Sequence, residues 1–393
     1  MQYGIRNTIN DSEIKGETYM KIAMIGHKRI PSRSGGIEVV VEELSERMAK
    51  RGNVVEVYNR YSGEEKLKEY KGARIIEIPT FNVPALHAMV YSLFATVRCI
   101  FTKYDVVHYH AEGPCAMLPI AKLFGKKTVA TIHGLDWQRS KWGGFATKYI
   151  LFGEKMAAKY ADKVIVLSEN VKKYFKDTYN CDAVLIPNGI NRVTPIAPDI
   201  IKSEYNLKGG DYILFLARIT PEKGLDYLID AYKKLNTNKK LVIAGAIEPE
   251  TEYIGSVKEK AKDNPNIVFT GFVSGQKLAE LFSNCYVYVL PSDIEGMPLS
   301  LLEAVGYGAR VVVSDIPENV NCLDGYGNSF EHSNSDSLRT VLQFCLDSEN
   351  LYDCDFKANE TPDSIRQKRE ELMTKYDWDN ITSQTLELYS SLK

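Results

Sequence analysis

The stretch Tyr286-Val-Tyr-Val-Leu-Pro-Ser-Asp-Ile-Glu-Gly-Met-Pro-Leu-Ser-Leu-Leu-Glu303 carries the plan of the fold in one unit. Its first five residues have the aromatic, β-branched and aliphatic character of a buried strand. Gly296 and Pro298 shape the loop that follows. Apolar residues then resume at helical spacing, with a helix start around 298–300. The same order recurs along the chain. Residues 21–25 are apolar and end at Gly26, and 38–51 carry Val40, Val41, Leu44 and Met48 at helical spacing before Gly52. Segments 54–58, 105–109, 128–132 and 163–167 read as further strands, with helical stretches between them. The alternation lapses over 185–190 and the Pro-containing 194–198. It restarts at 212–217 and continues through 241–244, 267–270, 287–290 and 310–313. Strands alternating with helices predict parallel sheets covered by helices on both faces. The expected class is α/β, with two doubly wound domains.

Length agrees, since 393 residues are too many for one ordinary core and suit two. Hydrophobic residues at 44% and charged residues at 25% are those of a folded globular chain. With 49 Lys and Arg against 51 Asp and Glu, the chain lacks the basic excess of a protein built to grip nucleic acid. The seven cysteines are odd in number and form no CxxC pair. They predict no disulfide framework and a reducing, cytoplasmic compartment. Residues 1–19 are polar, without a signal-peptide core, and read as an N-terminal extension with little structure. The most apolar stretch, 83–101, is interrupted by His87 and Arg98 and is too short to span a bilayer.

In open parallel sheets ligands bind beyond the carboxyl ends of the strands, so two such domains place the chemistry in the cleft between them. Every motif of interest falls in a loop after a strand. After 286–290 come Glu295, Gly296, Met297, Pro298, Leu299 and Glu303. Here loop and helix-end amides offer donors to a phosphate, while Glu303 either accepts sugar hydroxyls or merely favours the helix dipole. After 212–217 comes Arg218-Ile-Thr-Pro-Glu-Lys-Gly224, where the fork of Arg218 and the point charge of Lys223 suit a diphosphate.

With both motifs in one domain, the chain resembles the family 4 (group 1) retaining glycosyltransferases, across 20–393. The pair Glu295 and Glu303, seven residues apart, matches that family's EX7E motif. Arg218 and Lys223 match its diphosphate-binding cations. The resemblance implies two Rossmann-like domains facing across a cleft, the GT-B architecture. It implies an acceptor domain at 20–192, a nucleotide-sugar domain at 193–375, and a helix at 376–393 returning to the first domain. By the same resemblance Glu303 binds ribose hydroxyls and Glu295 the donor sugar. Gly35 and Gly36 face the donor phosphate, and backbone near Val273 reads the base. His133 matches the family's active-site histidine, although a structural strand-end histidine is the competing reading. The expected catalytic set is His133, Glu295, Arg218 and Lys223.

The segment from Gly134 to Trp142 resembles a narrower group, bacterial capsule and wall-polysaccharide transferases that include rhamnosyltransferases. His110, Glu112, Asp136 and Trp137 are the acceptor-side candidates. His108 and His110 stand two apart, but no Cys or Asp completes a metal set nearby, and the resemblance implies no catalytic metal or cofactor. The expected donor is a UDP- or dTDP-sugar, and the expected acceptor a saccharide, lipid-linked, in surface-polysaccharide assembly. From 121 to 176 there are 12 Lys and Arg against 4 Asp and Glu, a net of +8, beside the apolar 83–101. That suits peripheral contact with an anionic leaflet at about 1 kcal/mol per cation, or simply solvated helix faces. The competing functions are a nucleotide-sugar epimerase or phosphorylase on the same fold, an NAD-dependent dehydrogenase, and an inactive binding protein. No GxGxxG fingerprint supports the dehydrogenase, and the intact glutamates and cations argue against the inactive protein.

Overall fold

The computed structural model describes residues 19–61, 63, 66–80, 84–139, 143–347 and 361–392. The N-terminal extension before Tyr19, and Lys141 and Trp142 of the motif after 128–132, lie outside the described residues.

The first sheet has eight strands: β1 (Lys21–Ile25), β2 (Val54–Arg60), β3 (Glu69–Tyr70), β4 (Ala73–Ile78), β5 (Val106–His110), β6 (Thr128–Ile132), β7 (Lys163–Val166) and β8 (Val184–Leu185). Their order is β3-β4-β2-β1-β5-β6-β7-β8, parallel throughout except the short β3–β4 pairing. The second sheet has six: β9 (Tyr212–Leu216), β10 (Lys240–Ala244), β11 (Ile267–Gly271), β12 (Val287–Leu290), β13 (Val311–Ser314) and β14 (Asn328–Phe330). Its order is β11-β10-β9-β12-β13-β14, all parallel. Both sheets reverse their winding direction beside their first strand, at β1/β5 and β9/β12. Ligands of doubly wound sheets bind at such switch points.

Period-2 alternation sends each strand's side chains to opposite faces. In β1, Ala23 and Ile25 enter one core cluster while Ile22 and Met24 enter another. In β9, Ile213 and Phe215 divide from Tyr212 and Leu214 in the same way. Each sheet therefore has a core on both faces.

The chain crosses between the sheets twice, side by side. Ile190 donates its amide to the Tyr376 carbonyl (2.6 Å) and pairs with Asp377. The helix Pro362–Lys375 packs Leu372 and Met373 into the second core. The helix Trp378–Ser390 sends Trp378, Ile381 and Tyr389 into the first. Asp377 caps that last helix, accepting from the amides of Asp379 and Asn380.

The apolar 83–101 is not a wholly buried element. Its helix, Pro84–Ile100, buries Tyr91, Ala95 and Cys99 and leaves Phe94, Val97 and Arg98 exposed. Among the described residues no helix is long and apolar enough to cross a membrane.

Candidate active site in the interdomain cleft

The loops after β9 and β12 run side by side because β9 and β12 are neighbours. Pro221–Lys223 forms one tight turn that ends at Gly224, whose φ is +63°. A Cβ at Gly224 would stand 2.1 Å from the Pro291 carbonyl oxygen, so only glycine lets the two loops touch. This contact brings Lys223 onto the Glu295 carboxylate as an ion pair, and Ser292 donates its hydroxyl to the same carboxylate oxygen (2.7 Å). Arg218, by contrast, is exposed. Among the described residues its guanidinium has no hydrogen bond or ion pair.

The helix Leu299–Tyr307 opens at Pro298 with no side-chain cap, which leaves its first amides free for a ligand. Glu303 lies one turn inside it, partly buried, with no hydrogen-bond partner among the described residues. Burial pushes its carboxyl up to about 7, aided by Glu43 and opposed by Arg33, both from the facing domain.

That facing domain offers a second uncapped helix start. Gly36–Lys50 begins after Gly35, and Gly36 approaches Leu299 across the cleft. Glu38, in the first turn, is buried and accepts from the Lys28 amide (2.9 Å), fixing the loop after β1. His133, just past β6, shares a hydrogen bond through Nε2 with His110 Nδ1 (3.1 Å). Behind them His108 bonds the hydroxyls of Thr131 (2.7 Å) and Tyr389 (2.5 Å). Burial holds His108 and His133 down to about 3 and His110 well below its usual value, so all three are neutral at pH 7.

The two halves meet at main chain. A Cβ on Gly296 would fall 1.9 Å from the His133 carbonyl oxygen, and Gly134 lies against the Gly296 Cα. Asn188 adds a hydrogen bond from its side-chain amide to the Met297 carbonyl (3.2 Å). Gly296 and Met297 therefore hold the domains together as well as lining the cleft.

Gly36, His133, Gly296, Met297 and Leu299 meet partners across this cleft, Glu303 faces Arg33 and Glu43, Lys223 is tied to Glu295, and Arg218 follows β9 on the same sheet edge. Val273 is buried, and its neighbours Phe272 and Ser274 are exposed. Of the acceptor-side candidates, His110 and Glu112 are buried. Glu112 accepts from the Asp136 amide (2.9 Å), and Asp136 pairs with Arg139 (3.1 Å), so these residues shape the loop after β6 from beneath. Trp137 packs toward Tyr174, with ring centroids 6.4 Å apart. The sequence reading missed Arg33, one residue before the Ser-Gly-Gly turn, because a lone loop cation carries no local signature. Ser292 was missed as well, because a single loop hydroxyl carries no local signature either.

Comparison with known proteins agrees with this architecture. The Glycosyltransferase Family 4 model matches residues 34–193, and the Glycosyl transferases group 1 model matches 198–358. The chain is 26% identical over 398 residues to an uncharacterized glycosyltransferase of Methanocaldococcus jannaschii, covering 94% of this chain and 98% of that one. It is 24% identical to the O-antigen chain mannosyltransferase C of Escherichia coli, covering 95% and 99%. Among solved structures, sucrose-phosphate synthase from Thermosynechococcus elongatus superposes with a TM-score of 0.78 at 20% identity, covering 95% and 99%. Anabaena HepE in complex with UDP and glucose superposes at 0.77 and 16%, covering 95% and 100%. The adjoining family matches, together with two parallel sheets facing across one cleft, make this chain a member of the family 4, group 1 glycosyltransferases with the GT-B fold.

Proposed function

We propose that the protein is a retaining hexosyltransferase that uses a UDP- or dTDP-sugar, with no catalytic metal or cofactor, and a saccharide acceptor, lipid-linked, in cytoplasmic assembly of a surface polysaccharide. The observation that carries this reading is the unpaired Arg218 beside Lys223, where two uncapped helix starts converge. Loss of a nucleoside diphosphate builds negative charge on the leaving group. Arg218, Lys223 and the free amides at Leu299 and Gly36 supply positive potential where that charge develops. Glu303, without a partner of its own, accepts ribose hydroxyls. Glu295, bound to Lys223 and Ser292, is oriented toward donor sugar and diphosphate together. His133 is neutral, so it acts as a hydrogen-bonding group and not as a cationic acid. Of the acceptor-side carboxylates, Glu38 and Glu112 are buried and hold backbone amides. That supports attack on the donor's own face over a covalent glycosyl-enzyme intermediate.

The test is a panel of nucleotide sugars with product anomers assigned by NMR. Release of nucleoside diphosphate from a UDP- or dTDP-hexose with retained configuration is expected. Inverted product removes the retaining assignment, and inertness toward the whole panel removes the enzyme reading.

Not every cation of the basic segment 121–176 is free to face a membrane. Arg139 is engaged with Asp136, and Lys141 lies outside the described residues. Phe101 and Leu123 stand 82% and 81% exposed, with Phe124 also exposed. Lys126 ties their two segments together through the Thr102 carbonyl (2.7 Å). Arg98, Lys103 and Lys127 are exposed beside them. Aromatic and aliphatic tips among cations suit the interface of an anionic leaflet. Co-sedimentation with phosphatidylglycerol vesicles should fall with salt and with joint Phe101→Ser and Leu123→Ser. Indifference to anionic vesicles removes the membrane part alone.

A further inference from the structure

The donor loops also border a second cavity at the cleft, of about 300 Å³. Gln138 of the first domain lines one side; Glu222, Asp226, Tyr227, Tyr253 and Asp293 of the second line the other. The polar groups are held in place. Tyr227 donates its hydroxyl to Asp293 (3.1 Å), and Ser333 donates to the other Asp293 oxygen (2.8 Å). Tyr253 donates to Asp226 (2.8 Å). Glu222 is 7% exposed, and among the described residues its Oε1 has no hydrogen-bond partner.

The chemistry of the walls narrows the ligand. All the ionised groups are carboxylates, which repels phosphates and sugar acids. Among the described residues no three carboxylate, histidine or cysteine groups converge as a metal-ligand set. What remains is a neutral ligand rich in hydroxyl donors that also presents C–H faces to tyrosine rings. The volume lies at the small end for ligand pockets, the size for one sugar ring and not a chain. We infer that this cavity is a subsite for one neutral sugar unit of the acceptor, gripped by the second domain as well as the first. The inference rests on the glycosyltransferase reading and adds to it a place where the acceptor touches the donor domain. Because Gln138 and the carboxylates come from different domains, an occupied subsite also holds the cleft closed.

The experiment is saturation-transfer NMR on the full chain saturated with UDP, using methyl glycosides of neutral hexoses, with methyl glucuronide as the anionic control. Neutral glycosides should give signals, and methyl glucuronide should not. Gln138→Ala and Asp226→Asn should each weaken the glycoside by about five- to tenfold. UDP affinity, read by calorimetry, should stay within about twofold because neither residue belongs to the diphosphate site. Glycoside binding that is absent, or that survives both substitutions unchanged, overturns the subsite. So does a preference for the glucuronide. Failure of the chain to bind any nucleoside diphosphate is a different result and counts against the glycosyltransferase reading itself.

Discussion

Glu303 occupies a position where its negative charge is poorly solvated and unpaired, which is why its carboxyl titrates near 7 and not near 4.5. The unfolded chain therefore loses this proton at lower pH than the native one. Stability contributed by the protonated form is present below about 4.5 and is lost as pH rises to about 7. Glu303→Gln should match the parent in urea unfolding at ~pH 5 and exceed it by roughly 1–3 kcal/mol at ~pH 8. The same variant should bind nucleotides more weakly. Equal stability at the higher pH would show that Glu303 is better solvated than its surroundings suggest. The two cations should behave differently from each other. Arg218→Ala removes an exposed, unpaired group, so it should cost about 1.5–3 kcal/mol of UDP affinity with no loss of stability. Lys223→Ala should weaken UDP similarly but also destabilise the fold by roughly 1–3 kcal/mol, since it strands Glu295 in a nearly buried site. Calorimetry and urea unfolding on both variants separate the two. Unchanged UDP affinity in Arg218→Ala is the result that defeats this assignment.

At the scale of elements, the decisive feature is the meeting of the β12 loop with the β6 loop. Gly296 packs on the His133 carbonyl at a distance no Cβ tolerates. Gly296→Ala should leave both sheets folded and keep the domains apart. Small-angle scattering should show a larger radius of gyration. Transfer activity should fall by about a hundredfold or more, because misplacing catalytic groups by an ångström is that costly. Full activity in this variant would mean that the contact is incidental. The match between expected and observed elements follows the strength of the local signal. The segments 21–25, 128–132 and 287–290 were read with the bounds they have, since buried parallel strands are short apolar runs with Gly or Pro after them. The strands β3, β4, β8 and β14 were not singled out. Ala73–Ile78 mixes buried and exposed positions without a regular period near a sheet margin, and β8 and β14 are two and three residues long. Pairing with a neighbour defines such strands more than composition does.

For the whole molecule, acid is the natural probe. His27, His108 and His110 are buried and His133 is half-buried, and desolvation depresses all four, His27 to about 4 and His108 and His133 to about 3. Each is neutral in the fold and protonates near 6.5 when unfolded. Their stabilisation is complete above about 6.5 and drains as pH falls toward 3–4, at about 1.4 kcal/mol per histidine per pH unit. The melting temperature should drop steeply between ~pH 6.5 and ~pH 5, and His108→Gln should make that slope shallower. A melting temperature that holds steady to ~pH 5 contradicts the neutral histidine cluster. Because Tyr389 of the returning helix bonds His108, loss of that cluster should also loosen the tie between the two ends of the chain.

The sequence by itself determined the class, the two-sheet plan and the identity of most cleft residues. Those follow from local causes: hydrophobic period, Gly and Pro at loop positions, and cations or glutamates directly after strands. Tertiary structure alone decided how those residues are used. It paired Lys223 with Glu295 and left Arg218 without a partner among the described residues. It buried His110 and Glu112 beneath the loop they shape, and it set Arg33 and Glu43 of one domain against Glu303 of the other. These are contacts between residues tens to hundreds of positions apart. Desolvation and charge at such contacts depend on which surfaces the closed cleft brings together, and no local pattern of side chains encodes that.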